Sequence, residues 1–362
     1  MTVRLLGQGL AALVLLTLIN TPLSARSADR TAFYSGRTLT YMVAAGAGGS
    51  YDFYGRLVAR HMAEHLPGVT LVVRNLPGQG HILGADALYE AAPDGLTIGT
   101  FSTGLIYSQL IGRKDVRFDL GQMSWIGKAA SDPRILVVGK SSPIRTMENL
   151  HQPGDSFLFA VSRIGSLNYN ETNILQSALD FNARIISGYK STDDELAIQD
   201  GTIDAVFGPK SLYGPFVADG NGRAIFQIGG NDPHIPQLSD LIRREGSADA
   251  KAVVALIRSQ AELAHLTAGP PGIAANRLET LRNAYRAALE SPALQAEAAS
   301  ANRPVMPFAV GDEVAREISA ALDQSPETID TIAQTFAVEP PRLIAKLPRA
   351  KPAPAAVAPE RR

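Results

Sequence analysis

The sequence predicts an α/β fold with two parallel-sheet units and a mostly helical C-terminal region. Two stretches alternate short apolar runs with amphipathic segments, the pattern of β-α-β crossovers. The ends of those apolar runs are rich in Gly, Ser, Thr and Asn. Aromatic content is low at 6%, while small aliphatic residues abound, a composition that suits an α/β fold.

Each element is justified in order. Residues 38–45 are a mostly apolar strand, and 51–66 a helix with Tyr54, Leu57, Val58 and Met62 on one face. A strand at 69–74, a helix at 81–92, a Pro93-Asp94-Gly95 turn and a strand at 96–101 complete the first unit. Crossovers of this kind are right-handed and give a parallel sheet. The second unit places strands at 125–129, 135–138, 157–161, 183–187, 204–207 and 223–228, with helices at 169–180 and 193–200. Thr192 and Glu195 have the spacing of a capping box. From residue 237 the chain is mainly helical, with helices at 277–289, 311–324 and 327–336. Residues 343–362 are Pro- and Ala-rich and are expected to be a disordered tail.

The N-terminus reads as an export signal spanning residues 1–27. One basic residue, Arg4, precedes an uncharged run at 10–19 and then small residues at Ser24, Ala25, Ser27 and Ala28. Cleavage is expected after Ala25 or Ser27, and an uncleaved anchor is the competing reading. The run is shorter than the ~20 residues of a bilayer span. The chain has no cysteine, which excludes disulfides, thiolate metal sites and cysteine nucleophiles. Net charge is −1 and the charges are dispersed, so no basic stripe points to nucleic acid.

In an open parallel sheet, ligands bind beyond the carboxyl ends of the strands. The loops there are 46–52, 75–80 and 102–104 in the first unit, and 162–168, 188–192 and 208–211 in the second. The first carries Gly48, Gly49, Ser50 and Asp52 at a helix entrance, where free N–H groups and the helix dipole favour a carboxylate. A tight turn capped by Ser50 explains the same residues. Asp52 either sits in the first helical turn for the dipole or points into a cleft. Tyr51 and Tyr54 face cleft or core, with Tyr54 on the apolar stripe. Ser102, Ser162, Arg163, Gly165, Ser166 and Lys190 are the further candidates, and Arg163 and Lys190 also read as solvated cations. No dinucleotide or phosphate-loop fingerprint fits, since Tyr51 replaces the third glycine and no lysine follows. His61 and His65 have metal-ligand spacing, but Met62 stands where a zinc protease needs glutamate, and a solvated helix flank accounts for both. No G-x-S-x-G elbow is present. No catalytic residue, metal or cofactor is assigned, and the chain is read as a non-enzyme.

At this point the residues resemble a known family. Gly48-Gly49-Ser50-Tyr51-Asp52 followed by Arg56-Leu57-Val58-Ala59, Asn75-x-Pro77-Gly78-x-Gly80, and Ala92-Pro93-Asp94-Gly95-x-Thr97 look like signatures of the tripartite tricarboxylate transporter receptors, or Bug proteins. Ser162, Gly165-Ser166, Tyr189-Lys190-Ser191, the 201–207 segment and Pro270-Pro271-Gly272 are similar to later elements of that family. The resemblance implies a two-lobed periplasmic-binding-protein (Venus-flytrap) fold. Lobe one would take residues 30–130 and 236–342, and lobe two 131–235, with the strand near Trp125 crossing between them. It implies a monomeric periplasmic receptor that captures a small organic carboxylate and hands it transiently to membrane permease subunits. The alternatives are a sensor subunit presenting its ligand to a membrane kinase, and an exported hydrolase. Ala44, Arg163, Tyr169 and Ser191 depart from the family pattern, and three of the four flank the second-lobe loop.

Overall fold

The computed structural model describes residues 32–151, 156–189, 193–243, 246–301, 303, 305 and 307–337. The export signal, the Pro- and Ala-rich tail, Lys190 and the Thr192 cap lie outside the described residues.

Two sheets carry the fold. The first has six strands in the order β11 (Ala309–Val310), β4 (Ser124–Lys128), β10 (Leu266–Gly269), β3 (Thr97–Thr100), β1 (Thr38–Val43) and β2 (Thr70–Asn75), the second five in the order β7 (Ala183–Ser187), β6 (Phe157–Val161), β8 (Ala205–Pro209), β5 (Arg134–Gly139) and β9 (Gly222–Ile228). In the first, β1 (Thr38–Val43) pairs in parallel with β2 (Thr70–Asn75) and β3 (Thr97–Thr100). Helix α1 (Ser50–Glu64) and helix α2 (Ile82–Tyr89) make the crossovers. The apolar stripe of α1 buries Leu57, Val58 and Met62 to 1% exposure or less. Burial of each stabilises by roughly 1.5–3 kcal/mol. Gly55 lets this helix approach β1, since a Cβ there would lie 2.8 Å from the Val43 side chain. Ala44, one of the departures, is buried beneath Gly84 of α2, so it serves packing. Helix α3 (Leu105–Leu110) follows β3 and was not foreseen, its pattern being too short to declare a period.

The expectation of wholly parallel sheets is corrected. Strand β4 (Ser124–Lys128) lies antiparallel to β10 (Leu266–Gly269) and β11 (Ala309–Val310), and all three belong to the first sheet. The region after 237 therefore holds two strands among its helices. All four residues of β10 are buried, so no alternation marked it in the sequence. The strand around Trp125 stays in the first sheet, and the crossing to the second falls at 129–133, before β5 (Arg134–Gly139).

In the second sheet, β6 (Phe157–Val161) pairs in parallel with β7 (Ala183–Ser187) and β8 (Ala205–Pro209). Strand β5 runs antiparallel to β8 and to β9 (Gly222–Ile228). Helices α4 (Leu167–Leu179), α5 (Asp193–Gln199) and α6 (Lys210–Ala218) connect them. Helix α6 was also not foreseen; Gly214 and Pro215 stand inside it, residue types that punctuate helical patterns.

After a short α7 (Leu238–Leu241), helix α8 (Ala248–Glu262) packs on α4 and β9 of the second sheet. Helices α9 (Ala275–Glu290) and α10 (Pro292–Ser300) return to pack on α1. Helix α11 (Asp312–Leu322) packs on β4, and α12 (Pro326–Ala337) on α4 and α8. One apolar cluster runs from Phe101 and Trp125 in the first unit through Leu256 and Ile257 of α8 to Phe159 and Phe207 in the second. The two crossing segments are tied side by side. The Asp132 N–H donates to the Ala261 carbonyl at 2.7 Å, and the Ala129 N–H to the His265 carbonyl at 3.2 Å.

Candidate functional site

A cavity of about 470 Å³ opens between the two sheets. Its walls come from the strand-end loops of both units and from the crossing segments. Such a volume is typical of small-molecule sites. The loops meet across it: a Cβ on Gly80 would lie 3.8 Å from the Gly165 carbonyl, and one on Gly104 would lie 3.1 Å from the Leu167 side chain.

The first-unit loop divides into two parts. Ser50 and Tyr51 line the cavity, whereas Gly48, Gly49 and Asp52 do not. Asp52 is 5% exposed and faces inward to the loop. It accepts hydrogen bonds from the Gly48 N–H, the Arg56 Nε and the Asn75 side-chain amide, each at 2.9 Å. Burial pushes its carboxyl up, but these donors outweigh burial and hold it below the usual carboxylate range. Of the two readings of Asp52, its contacts are those of a loop brace. Gly48 takes a φ of +84°, a conformation that suits glycine, and its N–H is spent on this brace.

The second-unit loop brings Ser162, Arg163, Gly165 and Ser166 to the cavity. Asn168 organises them, its Oδ1 accepting from the Ser162 hydroxyl at 3.1 Å and from the Ser166 hydroxyl at 2.6 Å. Ser166 caps α4 by accepting from the Tyr169 N–H at 3.4 Å. Ser102 lines the same cavity from the first unit and shares a side-chain hydrogen bond with Tyr51.

Other lining groups were not foreseen. Arg134 and Glu171 form an ion pair at 2.9 Å, with side chains 5% and 1% exposed. The Arg134 Nη1 also donates to the Asp132 carbonyl at 2.6 Å. Asp132 in turn accepts from the Ser211 hydroxyl at 2.7 Å and N–H at 3.1 Å. Burial pushes the Glu171 carboxyl up, against the pull of Arg134. A lone acid inside the apolar face of α4 was the available signal for this pair.

One wall is a row of rings. Tyr51 stands edge-on to His81 at a centroid distance of 4.9 Å and lies 5.5 Å from His265. His265 stacks on Tyr54 at 3.6 Å. Tyr51 therefore faces the cleft and Tyr54 the core, where it is 4% exposed. Both histidines have left-handed backbone, with φ +81° at His81 and +56° at His265. Burial, aided by Arg163, lowers the His81 pKa to about 4. Burial, with Arg303 and then Arg134, lowers that of His265 to about 3. Both rings are neutral at pH 7.

The charges of the cavity balance unevenly. Its acids are engaged: Asp132 by Ser211, Glu171 by Arg134, and Asp194 by the Tyr213 hydroxyl at 2.6 Å. Arg113 pairs with Asp115. Arg163 and Arg303 line the cavity with no acid partner among the described residues. The Arg303 guanidinium lies 5.2 Å from the Phe53 ring centroid.

His61 is not a solvated flank. It is 5% exposed and sits between Glu64 at 3.3 Å and Glu297 at 3.4 Å, away from the cavity. Among the described residues no group of three or more His, Cys, Asp or Glu could hold a metal ion. No helix among them is long and apolar enough to cross a membrane.

Comparison with known proteins gives this geometry a context. Residues 55–302 match the model of the tripartite tricarboxylate transporter family receptor. A UPF0065 protein of Bordetella bronchiseptica is 30% identical over 166 residues, taking in 45% of this chain and 49% of that protein. The chain thus spans about half the length of the curated relatives it matches. The fold is similar to that of a TctC solute-binding protein from Polaromonas, at TM-score 0.66 and 17% identity, covering 83% of this chain and 99% of that one. It is also similar to MatC from Rhodopseudomonas palustris with bound malate, at TM-score 0.59 and 18% identity, covering 82% and 99%.

Proposed function

The chain belongs to the tripartite tricarboxylate transporter receptor family, and from that premise we propose that it is an exported periplasmic receptor for a small organic carboxylate. It binds without turnover and delivers its ligand, as a monomer, to membrane permease subunits. The observation that carries this reading is the pair of cavity arginines, Arg163 and Arg303, that have no acid partner among the described residues, while Asp132, Glu171 and Asp194 of the same cavity are engaged. An anionic ligand supplies what that cavity lacks. Ser50, Ser102, Ser162 and Ser166 offer short hydroxyls beside it. Gly48, Gly49 and Asp52 act by shaping the loop that presents Ser50, and Lys190 contributes a ligand contact from the 188–192 loop. Malate in MatC supports the carboxylate class.

Closure follows from the same contacts. Lobe one takes residues 30–130 and 236–342, and lobe two takes 131–235. A ligand held from both sides stabilises the closed form by its differential affinity. A micromolar complex requires about 8 kcal/mol, within reach of a few charge-assisted bonds and buried apolar contact. The test is a thermal-shift screen of the purified protein against carboxylates and neutral sugars. A rise in melting temperature with one or more carboxylates is expected; stabilisation by sugars alone overturns the reading.

A further inference from the structure

Two stretches of chain cross between the sheets. The first, residues 129–133, links β4 of the first sheet to β5 of the second. The second is shorter. Leu263, Ala264 and His265 alone separate the end of α8, which packs on the second sheet, from β10 of the first. The crossings are stapled to each other. The Glu262 carbonyl accepts from the Lys128 Nζ at 2.7 Å and from the Ser131 hydroxyl at 3.1 Å, beside the backbone bonds of Ala129 and Asp132. Rotation of one sheet against the other must be taken up by the torsions of these few residues. Among the described residues of both crossings, His265 alone has left-handed backbone, at φ +56°. A residue with a Cβ is strained there.

We propose that His265 is a sprung hinge: its left-handed backbone stores strain at the angle between the two units, and the stack of its ring on Tyr54 holds that angle. This rests on the lobe division above and on no choice of ligand. The ring is fixed to the first unit. It lies 3.6 Å from the Tyr54 ring of α1 at an interplanar angle of 20°, and Tyr54 is buried. The His265 Nδ1 is buried with no hydrogen-bond partner among the described residues, so that nitrogen adds no anchor of its own. Stack and strain oppose each other and are of similar size, since an aromatic pair contributes about what a left-handed residue costs. Removing the stack alone lets the torsion relax and the units turn. Removing the strain as well leaves the described angle without a penalty. The same ring lines the cavity. Whatever packs against that wall bears on the hinge, which ties the filling of the cavity to the angle between the units.

The experiment exploits a chain without cysteine. Asn283→Cys on α9 and Gln199→Cys on α5, both exposed and one in each unit, carry a pair of spin labels. Electron–electron double resonance then reads the distances between the units in the full chain without ligand. His265→Ala loses the ring and keeps the strain. It is expected to raise the population at a second distance on the order of tenfold. His265→Gly loses the same ring but bears left-handed backbone readily, and it should stay within about threefold of the parent. Tyr54→Leu removes the stack from the other side and should match His265→Ala. Identical distributions in His265→Ala and His265→Gly overturn the hinge assignment, because the two differ only in tolerance of that backbone. A Tyr54→Leu distribution unchanged from the parent overturns it too. Neither failure touches the carboxylate reading, since no ligand enters the measurement.

Discussion

Arg134 opens a strand of the second sheet and Glu171 lies on its first long helix, and the two meet as a buried ion pair beside the cavity. The Arg134 Nε donates to both carboxylate oxygens, at 3.2 and 2.9 Å. Breaking one side of such a pair leaves an uncompensated buried charge. Glu171→Gln is therefore expected to cost about 3–5 kcal/mol of unfolding free energy. Replacing both residues, as Arg134→Met with Glu171→Leu, should recover most of that loss. Urea denaturation of the two variants checks this, and a double variant no better than the single would show the pair itself to be stabilising.

Asp52 gives a prediction of the opposite kind, since it braces its loop from outside the cavity. Asp52→Asn keeps the shape but loses the charge that Arg56 and the Gly48 amide address. A loss of about 1–3 kcal/mol in stability at pH 7 is expected. The folded-state carboxyl is depressed, so its contribution is full above the ordinary carboxylate pKa and fades as pH falls through the lower folded value. At pH 2 the variant and the parent should therefore converge. A difference that persists undiminished in acid would mean that the brace is not electrostatic.

Ser50 tests the cavity entrance. It lines the cavity at the start of α1 and is half-buried. A bulky substitution, Ser50→Phe, is expected to abolish carboxylate binding while the melting temperature of the unliganded protein stays within a few degrees. A substitution on the cavity wall leaves the buried core contacts in place, so its cost to the fold is small. Calorimetry alongside a thermal melt separates the two effects.

The two cavity histidines predict acid sensitivity. His81 and His265 are held neutral in the folded protein, with pKa values near 4 and 3. The unfolded chain protonates them near the ordinary value of about 6.5. Between these limits the unfolded state binds more protons, so stability rises with pH and levels off above about 6.5. His265→Phe should flatten the stability profile between pH 4 and 6.5, measured by denaturation at constant ionic strength. An unchanged slope would place the titration elsewhere.

How much of this was legible beforehand differs between fold and site. Strand β6 and strand β7 were placed to the residue, because each is an apolar run bounded by loop residues. Strand β10 was not, since a four-residue segment buried on both faces carries no alternation. Four serines of the cavity, Ser50, Ser102, Ser162 and Ser166, were legible because they follow strand ends, whereas Ser108 and Ser211 were not singled out. His265 and Arg303 were not. They reach the cavity only because the chain recrosses from the second unit and returns to the first sheet, and no local pattern reports such a return. Arg134 escaped notice for a related reason: its partner Glu171 is 37 positions away, so the charge at the head of an apolar strand had no visible counterpart.

The packing of α12 on α4 carries a consequence for biosynthesis. Helix α4 is made early, yet its surface is completed by α8 and by α12, nearly 150 residues later along the chain. That face of the second unit is therefore uncovered until α12 docks on it. Long-range closure of this kind slows folding and lengthens exposure to aggregation. A contact made across so long a stretch of chain leaves the face of α4 open for much of the folding time.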